Sequence, residues 1–344
     1  MIDGLDYKDV YIVPQYSEVT SRSLVDTSVE LSGMKLKLDV PVISANMDTV
    51  TDGDMAVAMH QAGALGAIHR FMTIDQNHTE FRKVFLQGSQ ALVSIGVNED
   101  SKERASALYA FSSARAFVID IAHGHSKMMK DMILWFRETF GNEPFLVAGN
   151  VATDLGAMDL FRWGADCVKI GIGPGNVCST KNVTGVTVPQ FSAVQTLCTK
   201  ENKEKYETCI WQRTRTHTRR PLLIADGGIT EIGDIAKALG AGADLVMCGR
   251  LFAACKEAPG PRINGKKIYR GMASRDAMLT IRDEQSLPAP EGISTILDES
   301  GETAASVVKH IKGGLQSAFS YSNAKNIAEF QSKVQFGLRR TQAR

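Results

Sequence analysis

The sequence lacks a charge surplus, a long apolar run and any metal-type cysteine spacing, and each absence closes a class of function. Lys and Arg number 39 against 38 Asp and Glu, for a net charge of +1. No global field therefore draws the chain to nucleic acid or to an anionic membrane surface. No uncharged apolar stretch is long enough to span a bilayer. The six cysteines, at positions 167, 178, 198, 209, 248 and 255, form no C-x-x-C pair. Most fall in apolar segments, where a free buried thiol in a reducing compartment is expected. The start, Met1 to Asp6, has neither a basic region nor an apolar core. A secretory signal is therefore not expected, and a cytoplasmic location is. What remains is ordinary for a soluble globular protein with a large core, at 44% hydrophobic and 22% charged residues.

From about residue 39 onward, strand-like and helix-like segments alternate. Candidate strands run over 40–45, 64–68, 91–97, 116–122, 145–151, 167–172, 221–225 and 245–248. They are short, β-branched and apolar on both faces, as parallel strands covered by helices should be. Helical patterns occupy the gaps, among them 52–63, 127–140, 154–163 and 231–239. Eight such units across 344 residues predict one (β/α)8 TIM barrel, with a doubly wound open sheet as the rival. Two segments stand outside the repeat. Residues 200–220 read as an extended polar excursion carrying Arg213, Arg215, His217, Arg219 and Arg220, more a solvated surface than an anion site. Residues 259–302, rich in Gly, Pro, Ser and charge, read as a long active-site flap.

A barrel enzyme builds its site from residues just after its strands. Polar and glycine-rich groups collect there: Asn46-Met47-Asp48, His69-Arg70, Asp120, His123-Gly124-His125, Gly149-Asn150, Asp226-Gly227-Gly228 and Gly249-Arg250. The most informative is Gly171 to Thr180, a glycine- and proline-rich turn leaving a strand and presenting Cys178. A thiol on such a rigid turn can act as a nucleophile once its proton is removed. Thr180 is either a loop hydroxyl satisfying backbone groups or a proton shuttle, and Glu291 is a candidate partner for it. The glycine loops at 227–228 and 249 suit a phosphate, and the Asp226 carboxylate suits a ribose diol. The imidazoles of His123 and His125 have no third ligand nearby in sequence, so polar loop roles are expected rather than zinc.

These residues resemble the IMP dehydrogenase/GMP reductase family over almost the whole chain. The resemblance is carried by Asp6 to Val10, Ser44 to Met47, Ala148 to Thr153, Gly171 to Thr180, Gly185 to Gln190, Ala225 to Ile229 and Tyr269 to Met272. It implies a barrel without inserted CBS modules, a homotetramer, and action on a purine nucleoside monophosphate with a nicotinamide cofactor. By the same resemblance Cys178 attacks purine C2 to form a thioimidate, while Thr180 and Glu291 manage protons. The backbone oxygens of Gly173, Gly175 and Cys178 would hold potassium. Met47, Asn176, Asp226, Gly227, Gly228, Gly249, Arg250, Tyr269, Gly271, Met272, Ala273 and Gly292 would surround the nucleotide. Ser21, Arg22, Arg70, Asp120, Ile121, Ala122 and Asn150 match positions near the cofactor. Ser317, Ala318, Phe319 and Ser320 match a segment that contacts it from a neighbouring subunit.

Within the family the resemblance is to the reductase branch, which implies NADPH-dependent conversion of GMP to IMP and ammonia. The segment from Met272 to Glu291 is short and lacks the Arg-Tyr pair with which dehydrogenases activate water. The tail Gly313 to Tyr321 is also reductase-like. Asn176, Arg250, Ala273 and the run Pro288 to Gly292 depart from the usual reductase pattern. They leave two alternatives: an IMP dehydrogenase without CBS modules, converting IMP to XMP with NAD, and a reductase for a modified or deoxy purine nucleotide.

Overall fold

The structure is a computed structural model that describes residues 4–216, 219–279 and 289–339. Eight parallel strands close into a barrel: β1 (Val42–Ser44), β2 (Leu65–Ile68), β3 (Leu92–Ile95), β4 (Ala116–Asp120), β5 (Phe145–Val151), β6 (Cys167–Ile170), β7 (Leu222–Asp226) and β8 (Leu245–Cys248). Val246 of β8 pairs with Val42 of β1, which closes the ring. All eight expected strands are present: 145–151 and 245–248 as expected, 221–225 shifted by one residue, and the other five shortened by one to three residues. The open-sheet rival is excluded by the closure.

Strand parity separates two cores. Ala116 and Val118 of β4, Cys167 of β6, and Leu222 and Ile224 of β7 fill the barrel interior. Their neighbours Phe117, Ile119, Val168, Ile170, Leu223 and Ala225 pack outward under the helices. Because side chains alternate with period two, the same parity carries Asp120, Lys169 and Asp226 to the inner face at the mouth. A hairpin of Val29–Leu31 and Leu36–Leu38 plugs the opposite end, adding Val29, Leu31 and Leu38 to the inner core.

The helices follow local rules. Those of eight residues or more among the described residues are α1 (Gly53–Gln61), α2 (Ile74–Leu86), α3 (Glu99–Phe111), α4 (Lys127–Phe140), α5 (Asp154–Trp163), α6 (Gln190–Leu197), α7 (Lys200–Thr214), α8 (Ile232–Gly240) and α9 (Ala304–Tyr321). In α4, Ser126 caps the start by accepting from Met129 N, and Met129, Met132, Ile133 and Phe136 form the buried stripe.

One expectation is corrected. The segment read as an extended polar excursion is the 15-residue helix α7. Thr199 caps it, and Tyr206, Cys209 and Ile210 supply a narrow buried stripe. The Tyr206 ring stacks on Phe161 of α5 with centroids 4.7 Å apart. Only those three buried positions in fifteen carried the helical period, so polarity masked it. The arginines of this region are spoken for. Arg213 and Arg219 reach Asp166 at 2.5 and 3.6 Å, Arg220 reaches Asp244, and Arg215 lies over the Trp211 ring. His217 lies outside the described residues.

The long segment after β8 folds as an antiparallel sheet of β9 (Arg262–Ile263), β10 (Lys266–Arg270) and β11 (Ser294–Asp298). The buried Lys267 ammonium pins it by donating to the carbonyls of Cys255 and Ala258. β10 thereby enters the barrel mouth with Tyr269 on its inner side.

Asp166 anchors the far end of β6. Its side chain is 2% exposed and carries Arg137 at 2.7 Å as well as Arg213. Burial pushes its carboxyl up, but the three guanidiniums more than offset this and hold it below the usual carboxylate range. A depressed folded value stabilises the fold above the unfolded carboxylate range and loses that stabilisation as pH falls through the folded value. Asp166→Asn should therefore cost about 3–5 kcal/mol at neutral pH. In urea titrations its deficit against the parent chain should close as pH drops below about 4. A neutral-pH loss under about 1 kcal/mol would show that the cluster does not anchor the strand.

Candidate active site

The strand ends and the β10 entry enclose one cavity of about 410 Å3 at the barrel mouth. Its wall is built from the cysteine loop after β6, the glycine loops after β7 and β8, the ends of β4 and β5, residues 45–47 and 70–71 after β1 and β2, and residues 269–273 with 291–292. Gly171 starts the cysteine loop at φ +146°, and a Cβ there would lie 2.1 Å from the Asp226 carbonyl oxygen. Only glycine lets these two strand ends come so close. Buried Gln190 of α6 ties the same ends by donating to the carbonyls of Ile170 and Asp226.

Cys178 is half-buried, and its thiol donates to Thr180 Oγ1 at 3.2 Å. The Cys178 amide turns back onto Gly175 O at 3.0 Å. The loop is then stitched to the returning flap. Ser179 N donates to Glu291 O at 2.8 Å, Ile293 N to Val177 O at 2.9 Å, and Glu291 N to Ala273 O at 3.0 Å. Cys178 and Gly292 are bridge partners, as are Ser274 and Gly292. Cys178 and Thr180, read from one loop, and Glu291, read from a segment more than a hundred residues later, thus belong to one hydrogen-bonded network. Residues 280–288, including Pro288, lie outside the described residues.

The wall opposite is electrostatic. Lys169, 2% exposed, holds Asp120 Oδ1 at 2.5 Å and Asp226 Oδ2 at 2.9 Å. Asn150 Nδ2 donates to the same Asp226 oxygen at 2.9 Å and to Gly171 O at 2.8 Å. The register shift between Gly149 and Val151 accompanies the appearance of Asn150 on the cavity side. Its Oδ1 is buried with no hydrogen-bond partner among the described residues, which leaves an acceptor for a ligand donor. Burial first, then the Asp226 charge, pushes the Tyr269 phenol up, so the hydroxyl stays a donor. A Cβ on Gly249 would meet that hydroxyl at 2.6 Å, so Tyr269 closes directly over the loop that carries Arg250.

Met47, Asn176, Asp226, Gly227, Gly228, Gly249, Arg250, Tyr269, Gly271, Met272, Ala273 and Gly292 all line this cavity. So do Gly173, Gly175, Arg70, Asp120, Ile121, Ala122 and Asn150. Six expected cofactor positions do not. Ser21 and Arg22 lie on the N-terminal arm against α9, where Arg22 donates to the Tyr321 hydroxyl at 2.9 Å. Ser317, Ala318, Phe319 and Ser320 sit on that same helix. The Phe319 ring is fully buried on Phe330, with centroids 4.3 Å apart. Within one chain these six form a separate group, because the arm follows α9 instead of the barrel mouth.

His123 and His125 also stay outside the cavity wall. His125 pairs with Asp159 at 3.0 Å, and among the described residues no His/Cys/Asp/Glu group is arranged to hold a metal. Burial takes His69 down to about 4, so it stays neutral and accepts from Phe71 N. Sequence reasoning passed over Lys169, which reads as part of an apolar strand. The available signal was a lone lysine at the inward parity of Cys167.

The sequence model of the IMP dehydrogenase / GMP reductase domain matches residues 4–344. The chain belongs to this family. It is 35% identical to GMP reductase of Acidovorax ebreus, with 95% of this chain and 93% of the relative covered. It is 32% identical to inosine-5'-monophosphate dehydrogenase of Borreliella burgdorferi, with 97% and 93% covered. A cysteine-to-alanine variant of GMP reductase from Trypanosoma brucei, solved in complex with guanosine 5'-monophosphate, superimposes with a TM-score of 0.85. That match spans 99% of this chain and 96% of the other at 27% identity.

Cysteine environment makes the site testable without any substrate. Burial pushes Cys198 and Cys255 up to about 12, and raises Cys167, Cys209 and Cys248 as well. Since the thiolate is the reacting form, iodoacetamide near neutral pH should label Cys178 first, by peptide mass. Cys178→Ala should remove the fast phase. Equal or faster labelling of any other cysteine in the folded chain would contradict the site.

Proposed function

We propose that this protein is a GMP reductase, converting GMP to IMP and ammonia with NADPH, through a covalent bond between Cys178 and purine C2. The observation that carries the reading is the Cys178–Thr180 hydrogen bond, held in one backbone network with Glu291. The reductase relatives at full coverage support the substrate class.

Cys178 Sγ bonds to C2 of GMP as the C2=N π pair moves onto the ring nitrogen. The thiol proton is relayed through Thr180 Oγ1, the acceptor it already faces, which passes its own proton on toward Glu291. The C2–N bond breaks and the amine departs as ammonia, with Thr180 and Glu291 moving the proton it needs. The bound dinucleotide supplies a hydride to C2. The hydride's pair becomes the C2–H bond and displaces the C2=N π pair onto the ring nitrogen. Return of that nitrogen pair re-forms C2=N and breaks the S–C2 bond, freeing IMP and the Cys178 thiolate. The segment from Met272 to Glu291 contains no tyrosine, so the dehydrogenase's Arg-Tyr route to activated water has no counterpart there, which favours reduction over hydrolysis.

Asp226 accepts the ribose diol, and the glycine loops at 227–228 and 249, with Asn176, Arg250 and Tyr269, receive the phosphate. The guanidinium of Arg250 adds a two-donor contact to that phosphate. Arg70, Asp120, Ile121, Ala122 and Asn150 form the nicotinamide side; the unpartnered Asn150 Oδ1 suits a carboxamide N–H donor. The Ser21–Arg22 and Ser317–Ser320 group, remote from its own cavity, suits a dinucleotide bound to a neighbouring copy in a homotetramer. The carbonyls of Gly173, Gly175 and Cys178 offer neutral oxygens from one turn, a donor set that fits potassium, which would stiffen the cysteine loop. One barrel unit with its flap would carry the whole activity in the cytoplasm, without nucleic acid or membrane.

The test is direct. GMP with NADPH should give equimolar NADP and ammonia, and Cys178→Ala should abolish this by about a thousandfold or more. Formation of XMP from IMP and NAD, with no ammonia-linked NADPH oxidation, would assign the dehydrogenase activity instead. Turnover confined to a modified or deoxy nucleotide would move the substrate, not the chemistry.

A further inference from the structure

Lys169 stands between the two halves of the cavity. It rises from β6 with its side chain 2% exposed, yet meets a carboxylate from β4 and another from β7. On the functional reading above, on which this inference rests, Asp226 takes the ribose of the purine nucleotide and Asp120 lies on the dinucleotide side. We propose that Lys169 is a positioning residue whose one buried ammonium neutralises and orients both carboxylates, and so sets the affinity for both ligands.

Two carboxylates facing one cavity cannot both stay ionised at low cost without a cation between them. Both expected ligands also bring phosphate charge of the same sign. Lys169 and Asn150 grip the same oxygen of Asp226, Oδ2, so Oδ1 is the oxygen offered to a hydroxyl donor. An ionised carboxylate accepts such a bond more strongly than a neutral acid. Burial works against the Lys169 charge, but Asp120 and Asp226 more than offset it and keep the amine protonated. Burial likewise works against Asp120, and Lys169 with Arg70 and Asn46 holds it ionised.

The other charged or titratable groups facing this trio are few. Arg70 remains beside Asp120 when Lys169 is removed. Cys248 and Tyr269 stand near Asp226, and burial raises both, so neither titrates near neutral pH. Arg250 stands beyond Tyr269. Without Lys169 the two carboxylates would share the cavity with Arg70 beside Asp120, and their mutual repulsion would favour a proton on one of the pair.

Calorimetric binding of GMP and of NADP, measured separately, tests this on the parent chain, Lys169→Arg and Lys169→Met. Lys169→Met should weaken both ligands by about tenfold or more, and Lys169→Arg should restore both to within about threefold. The ratio of the Lys169→Met to the parent Kd should grow from about pH 6 to about pH 8, as the second carboxylate ionises without a counter-charge. Taking the ratio removes titration of the ligand's own phosphate. A structural lesion alone would give a pH-independent ratio and no rescue by Arg. That result, loss of one ligand only, or unchanged affinities would overturn the proposal while leaving the GMP reductase reading intact. A parent chain that binds neither ligand would overturn the functional reading and this inference with it. Should Lys169→Met fail to fold, Lys169→Gln, a donor without the charge, is read the same way.

Discussion

The cavity depends on backbone hydrogen bonds between two segments more than a hundred residues apart. Val177–Ser179 leaves β6, Glu291–Ile293 returns from the flap, and the pair of bonds from Ser179 N and Ile293 N joins them. Neither segment is long enough to hold a defined shape alone. Joined, they fix where the Cys178 thiol stands and place Glu291 in the same cavity wall as the threonine that thiol faces. Every other part of the mouth is arranged around that seam. Gly271, whose Cβ would strike the Val177 carbonyl oxygen at 2.6 Å, shows how closely the flap must approach.

Across the cavity the organising force is charge. A barrel interior filled by side chains offers little room for water, so an ionised group there needs a partner of opposite sign. Lys169 and its two carboxylates meet this need while leaving polar atoms for a ligand. The same logic recurs at the opposite end of β6, where Asp166 gathers three arginines. One strand therefore begins and ends in a buried ion cluster, the first locking the barrel to α7 and the second shaping its site. Between them Val168 and Ile170 are ordinary core.

Much of this was legible in the sequence, and the reasons differ by element. Barrel strands such as Ala116–Asp120 announced themselves because both faces are buried, which demands continuous apolar runs. The cysteine loop was legible because a core position does not explain glycine and proline around a thiol. Helix α7 was not, because its helical period rests on Tyr206, Cys209 and Ile210 alone. Lys169 was hidden for the opposite reason: its apolar neighbours made the strand so clear that the lysine passed as a tolerated exception. The seam between Ser179 and Glu291 is a backbone event between distant segments, so no side-chain pattern could signal it. Nor could sequence show that Ser21 and Arg22 run along α9, away from the cavity of their own chain.

The central claim is a covalent bond from one sulfur to a purine. Acid quenching of the enzyme during turnover of GMP, followed by peptide mass measurement, tests it most directly. The account predicts a purine nucleotide attached to the peptide containing Cys178 and to no other. Full turnover with Cys178 unmodified at every quench time, and sustained in Cys178→Ala, would contradict it.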